Sequence, residues 1–182
     1  MNPARAPLGL AYRLFVRAER DPLARGLVVR MVQRWFSVLV AERARGGRRL
    51  FELSRRWLTR FGAYRGPRLA QALGVDPNHM GDLARIQDFE DRAFSVEGHW
   101  TARERSSATK CETACPFAEI AAAMPELCTE LVHGLETATF RAINPTYRLV
   151  PLERLLSKRD GHCEFSHHIG AHAPTPPARP AL

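Results

Sequence analysis

The residues able to do chemistry in this chain crowd toward its C-terminal end. The ten residues Arg159–His168, "RDGHCEFSHH", hold one cysteine, three histidines and two acids. Such a set could ligate a metal, pair a nucleophile with a base, or close a hairpin whose cysteine fills a core. Three more cysteines, Cys111, Cys115 and Cys128, lie upstream. If helical, Cys111 and Cys115 share a face one turn apart. The four do not form the two close pairs usual for a zinc ribbon or finger. Cys111, Cys115, Cys128 and Cys163 would therefore hold zinc or an iron–sulfur cluster only by converging in space. Cys128 and Cys163 fall on expected apolar faces, where a free thiol commonly serves as a small core residue.

A nucleophilic thiol needs a lowered pKa, from a helix N-terminus, a histidine or a cation. Cys115 is the best placed of the four. Pro116 follows it, which puts Cys115 at the start of a helix over "PFAEIAAAM", where the dipole favours thiolate. Cys163 is next, with His167 four residues on along the same strand face. At the strand rise their Cα atoms stand about 13 Å apart, close enough to line one pocket and too far for a direct hydrogen bond. His99 faces away from the core side of its strand and could line a cleft if a helix covers that face. His133 lies off the apolar stripe of its helix and is expected to be solvated. His79 and His172 fall in a loop and in the tail. The sequence has no Ser/His/Asp signature, no phosphate loop and no dinucleotide fingerprint.

The elements that must position these residues begin with an arginine-rich stretch. The chain has 182 residues, 45% hydrophobic and 25% charged, which suits one domain with a sizeable core. Residues 1–70 carry a net charge of +12 and residues 71–182 a net charge of −4, giving the overall +8. The arginines recur at helical intervals and the aromatics among them fall on apolar stripes. This pattern predicts solvated helix surfaces rather than a nucleic-acid platform. No leader segment and no membrane span are expected, which places the protein in the cytoplasm with reduced thiols.

Three helices are expected in the first 62 residues. Asp21-Pro22 opens the second, with Leu23, Leu27, Met31, Trp35 and Leu39 as its apolar face. A short fourth helix covers "LARIQDFEDRAF". From Phe94 to Arg103 the even positions are mainly apolar and the odd ones polar, which predicts a half-buried strand. After "CPFAEIAAAM" a helix runs from Pro125 to about Ala142, with Leu127, Cys128, Leu131, Val132 and Leu135 on one face. Asp160-Gly161 predicts a two-residue hairpin turn that sets Lys158 opposite Cys163, Leu156 opposite Phe165 and Arg154 opposite His167. Cys163, Phe165 and His167 then face the core, and His162, Glu164 and His168 face away. The expected fold class is α+β: a helical N-terminal half, then an antiparallel sheet of about three strands packed with two helices. One domain covers residues 1–170, with a basic helical part over 1–70 and a cysteine-bearing part over 85–169. Residues 171–182 are Pro- and Ala-rich and are expected to be disordered.

Cys115-Pro116, Pro125-Glu126-Leu127-Cys128, Asn144-Pro145 and Cys163-Glu164-Phe165 follow one another in an order that resembles the L-2-amino-thiazoline-4-carboxylic acid hydrolase-like family. The resemblance covers about residues 85–169. It implies a hydrolase that opens a C–N bond of a small heterocycle, and it implies that Cys115, Cys128 and Cys163 meet around one pocket. On that reading Cys115 is the nucleophile, Cys163 and Cys128 supply a second thiol or a metal partner, and His167 or His99 carries the proton. The closing Cys-x-Phe is also similar to 4-vinyl-reductase-type ligand-binding domains, which implies a non-catalytic small-ligand or metal-binding module instead. The expected partner is a small molecule, with neither membrane nor nucleic acid, and a homo-oligomer is compatible with the sequence.

Overall fold

The computed structural model describes residues 6–151 and 154–170. Four helices come first: α1 (Ala6–Arg20), α2 (Pro22–Ala44), α3 (Arg49–Leu73) and α4 (Met80–Phe94). The start of α2 follows from its sequence. The Asp21 side chain accepts hydrogen bonds from the Leu23 and Ala24 N–H groups, and Pro22 opens the helix. The buried face follows the expected stripe at Leu39 but is shifted by one residue at Ala24, Val28 and Phe36. Ala24, Val28, Phe36 and Leu39 are buried, whereas Leu23 is 85% exposed and Met31 51%. The smaller side chains at 24 and 28 let α2 lie close on α1, and the larger Leu23, Leu27 and Met31 are left outside.

α3 does not end near residue 62 but continues through Pro67 to Leu73. Packing holds the helix across a residue that cannot donate its backbone hydrogen bond. Gly62, Arg65, Gly66 and Leu69 are all buried there. Gly62 and Gly66 lie one turn apart on the face that meets the later helix α6 (His133–Arg141). A Cβ on Gly62 would come within 2.5 Å of the Leu135 carbonyl oxygen, and one on Gly66 within 2.2 Å of the Thr139 carbonyl oxygen. The two helix backbones touch because these positions lack side chains.

The sheet has four strands, not about three: β1 (Glu97–Arg103), β2 (Ser107–Ala114), β3 (Arg148–Pro151) and β4 (Cys163–His168). All pairs are antiparallel, in the order β1-β2-β4-β3. Phe94 and Val96 precede the first strand, since α4 runs to Phe94 and Ser95 turns the chain with φ 58°. Cys111 lies on β2 and Cys115 just beyond it, so the two share no helical face. Between β2 and β3 run the one-turn α5 (Ala118–Ala122), a π-helical turn (Leu127–Val132) and α6.

The C-terminal hairpin is also longer than expected. Arg148, Leu149 and Val150 pair with His168, His167 and Ser166, and the connection contains a 3₁₀ turn (Leu156–Lys158). Arg159 and Gly161 both adopt the left-handed conformation, with φ 65° and 79°. Asp160 does not serve a two-residue turn; its side chain accepts a hydrogen bond from the Leu155 N–H at 2.9 Å and ties down the 3₁₀ turn. Burial still alternates along β4: Cys163, Phe165 and His167 are buried, and Glu164, Ser166 and His168 partly exposed. The inward set is thus the expected one, although the strand opposite it is different.

One sheet face packs on α4 and α6. The main core joins Phe15, Phe61, Met80, Ile86, Phe89, Phe140 and Tyr147 there. A second cluster joins Phe36, Phe51, Leu58, Phe117, Leu127 and Leu131 between α2, α3, α5 and the π turn. Among the described residues no helix is long and apolar enough to cross a membrane. Residues 171–182 lie outside the described residues.

Candidate functional site

Between the two clusters lies a cavity of about 140 Å³. Its outer wall is apolar, built by Val32, Trp35, Phe36, Leu58, Phe94 and Phe117. Val32, Trp35, Leu58, Phe94 and Leu135 also wall an adjoining apolar trough of about 400 Å³ against α1. Cys115, Cys128 and Cys163 all line the cavity, so the structure brings these three thiols together. Cys111 does not join them. The inward positions of β2 are Ala108, Lys110 and Glu112, and Cys111 sits between them on the outer sheet face opposite Glu164. His99, opposite Cys111 on β1, is exposed on that outer face. Among the described residues no three His, Cys, Asp or Glu side chains are set to hold a metal ion.

The three cavity thiols are not activated. Burial pushes Cys115 up to about 12, against the weaker opposing pull of the Phe117 backbone N–H. α5 starts at Ala118 and is one turn long, so it gives Cys115 little dipole. Burial likewise pushes Cys163 up to about 12, although its sulfur accepts a hydrogen bond from the Leu156 N–H at 3.2 Å. Burial raises Cys128 as well. Each is therefore a neutral thiol near pH 7, not the thiolate expected at Cys115.

His167 is buried deeper than the cavity wall. Its Nδ1 shares a hydrogen bond with the Tyr147 hydroxyl at 2.9 Å and stands 3.5 Å from Glu136 Oε1. Trp100 and Phe140 pack around the ring. Burial, with Lys110 nearby, drops its pKa to about 3, so it is a neutral core histidine. His133 is not solvated. It is buried, lines the cavity edge-on to Phe165 at 5.0 Å, and burial lowers its pKa to about 4. The π turn explains this: its extra residue rotates the chain after Leu131, so His133, Glu136 and Phe140 follow Leu127 and Leu131 on the inward face.

The inner end of the cavity is polar, and sequence reasoning missed it. Arg65, fully buried, places Nη2 2.7 Å from Glu90 Oε1 and donates from Nε to the Thr139 hydroxyl at 3.0 Å. Its guanidinium lies over Phe15 and Phe61. Lys110, only 2% exposed, bridges Asp88 at 3.1 Å and Asp91, and sits 4.7 Å from the centre of the Trp100 ring. The Trp100 indole N–H donates to Asp88 at 2.6 Å. Glu112, beside Cys163 across the strand pair, has no hydrogen bond or ion pair among the described residues. Burial, with Asp91 adding to it, pushes Glu112 up to about 8. Burial raises Glu90, Asp91 and Glu136 too. Asp88, Glu90 and Asp91 within one helix were a readable sign that this helix faces something other than hydrocarbon.

No family model matches the chain, and no curated protein matches it. Among solved structures the fold matches a trafficking protein particle complex subunit 3 from Naegleria fowleri, covalently bound to palmitic acid. The TM-score is 0.57 over 81% of this chain and 98% of that one, at 10% identity. The fold is thus similar to that of this subunit, and the resemblance to the amino-thiazoline hydrolases is overturned. Three of the four short motifs that carried the resemblance have other reasons here. Pro116 precedes a single helical turn, Asn144 caps the turn into β3 by accepting from Thr146, and the Cys-x-Phe alternation follows from the inward face of β4.

Proposed function

We propose that this protein is a binding domain for an apolar small molecule, held in the cavity and the adjoining trough. The observation that carries the reading is the shared wall of Val32, Trp35, Leu58, Phe94 and Leu135, which joins an enclosed apolar space to a larger open one. A roughly 150 Å³ apolar cavity accepts a benzene-sized guest, and continuity with the trough lets a chain-like ligand extend further. The palmitic acid bound to the Naegleria fowleri subunit supports a long-chain ligand for this fold. The hydrolytic reading drew on the family resemblance and on a thiolate at Cys115; neutral thiols at Cys115, Cys128 and Cys163 suit a pocket wall better than a nucleophile.

Titration of the full chain with Nile red, a neutral apolar dye, tests this. One dye per chain is expected, with fluorescence enhancement. Val32→Trp fills the shared wall and is expected to weaken binding about tenfold or more, with the circular dichroism unchanged. Equal binding by wild type and Val32→Trp, or none by wild type, would overturn the reading.

A further inference from the structure

We propose that the face formed by α1, α2 and α3 docks on an anionic lipid surface, with the mouth of the apolar trough turned toward the bilayer. The inference goes beyond the ligand reading above and does not depend on it. The first observation is an exposed apolar stripe. On α2, Leu23 is 85% exposed, Met31 51% and Val38 50%, and Leu27 is exposed between the first two. Leu53 and Trp57, one turn apart on α3, are exposed as well, and so is Leu10 on α1. Met31 and Trp57 also line the trough, so its mouth opens among these side chains. Large apolar side chains exposed together in this way mark a contact surface.

The second observation is charge. Arg30 and Arg34 are exposed beside the apolar side chains of α2, and Arg56 and Arg60 are exposed beside Trp57 on α3. None of the four makes an ion pair or a side-chain hydrogen bond among the described residues. The four acids of residues 1–70 are engaged elsewhere. Glu19 pairs with Arg20 and Arg92, and Asp21 caps α2 and pairs with Arg17. Glu42 accepts from the Leu50 and Phe51 N–H groups, and Glu52 pairs with Arg48 and Arg55. The face thus presents hydrocarbon and unpaired guanidinium groups together. A second copy would set these arginines against their own counterparts with no acid to meet them. A nucleic acid would meet the arginines but offers Leu23, Leu27 and Val38 no apolar layer to enter. An anionic bilayer meets both: its phosphates pair with guanidinium groups, and its interface takes up the aliphatic side chains and the Trp57 ring. A peripheral surface of this kind needs no spanning helix.

The test is co-sedimentation of the full chain with phosphatidylcholine vesicles, with and without about 30% phosphatidylglycerol, in about 0.1 M salt. Binding to the anionic vesicles is expected to be about tenfold tighter than to the neutral ones, and to weaken in about 0.5 M salt. Arg30→Gln combined with Arg34→Gln is expected to lose about tenfold, and Leu23→Gln combined with Leu27→Gln about as much. Equal binding to both vesicles, or none to either, overturns the proposal. So does a leucine variant that binds anionic vesicles as wild type does, since charge alone would then suffice, as for an acidic soluble partner. A dimer in analytical ultracentrifugation that the leucine variant abolishes, with no vesicle binding, gives the face to a second copy instead. The wild-type comparison decides alone should a variant not fold. Nile red binding without vesicles reports the cavity by itself, so either reading can fail while the other stands.

Discussion

The helical half and the sheet half of this protein bury different things. In α1 to α3 the buried side chains are almost all apolar, from Phe15 and Val28 through Phe36, Leu39 and Phe51 to Leu69. The many arginines there stay at the surface, Arg65 excepted. In α4, the sheet and α6 the buried set includes Glu90, Asp91, Lys110, His133, Glu136 and His167. The half with the larger net charge keeps that charge in water, and the half with the smaller one hides it. Net charge thus says little about where electrostatics act; an enclosed pair or an unpartnered acid matters more than many solvated arginines.

That contrast can be broken most severely at Lys110. Lys110→Met removes the cation shared by Asp88 and Asp91 and leaves both acids beside an apolar wall. A loss of about 3–5 kcal/mol is expected in urea unfolding, far beyond what loss of an exposed arginine pair in α1 or α2 would cause. Next in size is the seam where the halves meet. Gly66→Ala drives a methyl into the Thr139 carbonyl and is expected to lose about 1–3 kcal/mol, read as a lowered melting temperature. The smallest effect concerns pH. Glu112 holds its proton in the folded chain up to about 8, from an ordinary 4.5, so its favourable contribution is present below 4.5 and fades as pH rises toward 8. Stability is expected to fall between about pH 7.5 and 8, above the ordinary histidine value of 6.5, where His133 and His167 are almost wholly neutral in both states and contribute little slope. Glu112→Gln should flatten that fall, as measured by urea midpoints across the range.

The α+β fold class, the cap at Asp21, the end of α4 at Phe94 and the inward face of β4 were legible in the sequence because each follows from local chemistry or apolar alternation. β2 was not. Its inward positions are Ala108, Lys110 and Glu112, so a pattern defined by hydrophobicity has almost nothing to register. The same fact hid the polar end of the cavity. His133 was misplaced, and Glu136 passed over, because the π turn breaks the 3.6-residue period between Leu131 and α6. The three cysteines that share the cavity were legible as candidates but not as neutral thiols, since burial arises only once the helices close over them.

The close approach at Gly62 and Gly66 has a mechanical consequence. At these two positions α3 and α6 have no side chain between them to compress or reshuffle, which stiffens the pair. Whatever enters the cavity cannot make room by parting them. The accommodating walls are those built of side chains alone, where Val32 and Trp35 of α2 meet Phe117. An occupied cavity would therefore be felt at α2, whose outer surface carries Leu23, Leu27 and Met31, and not at the helix pair beneath it.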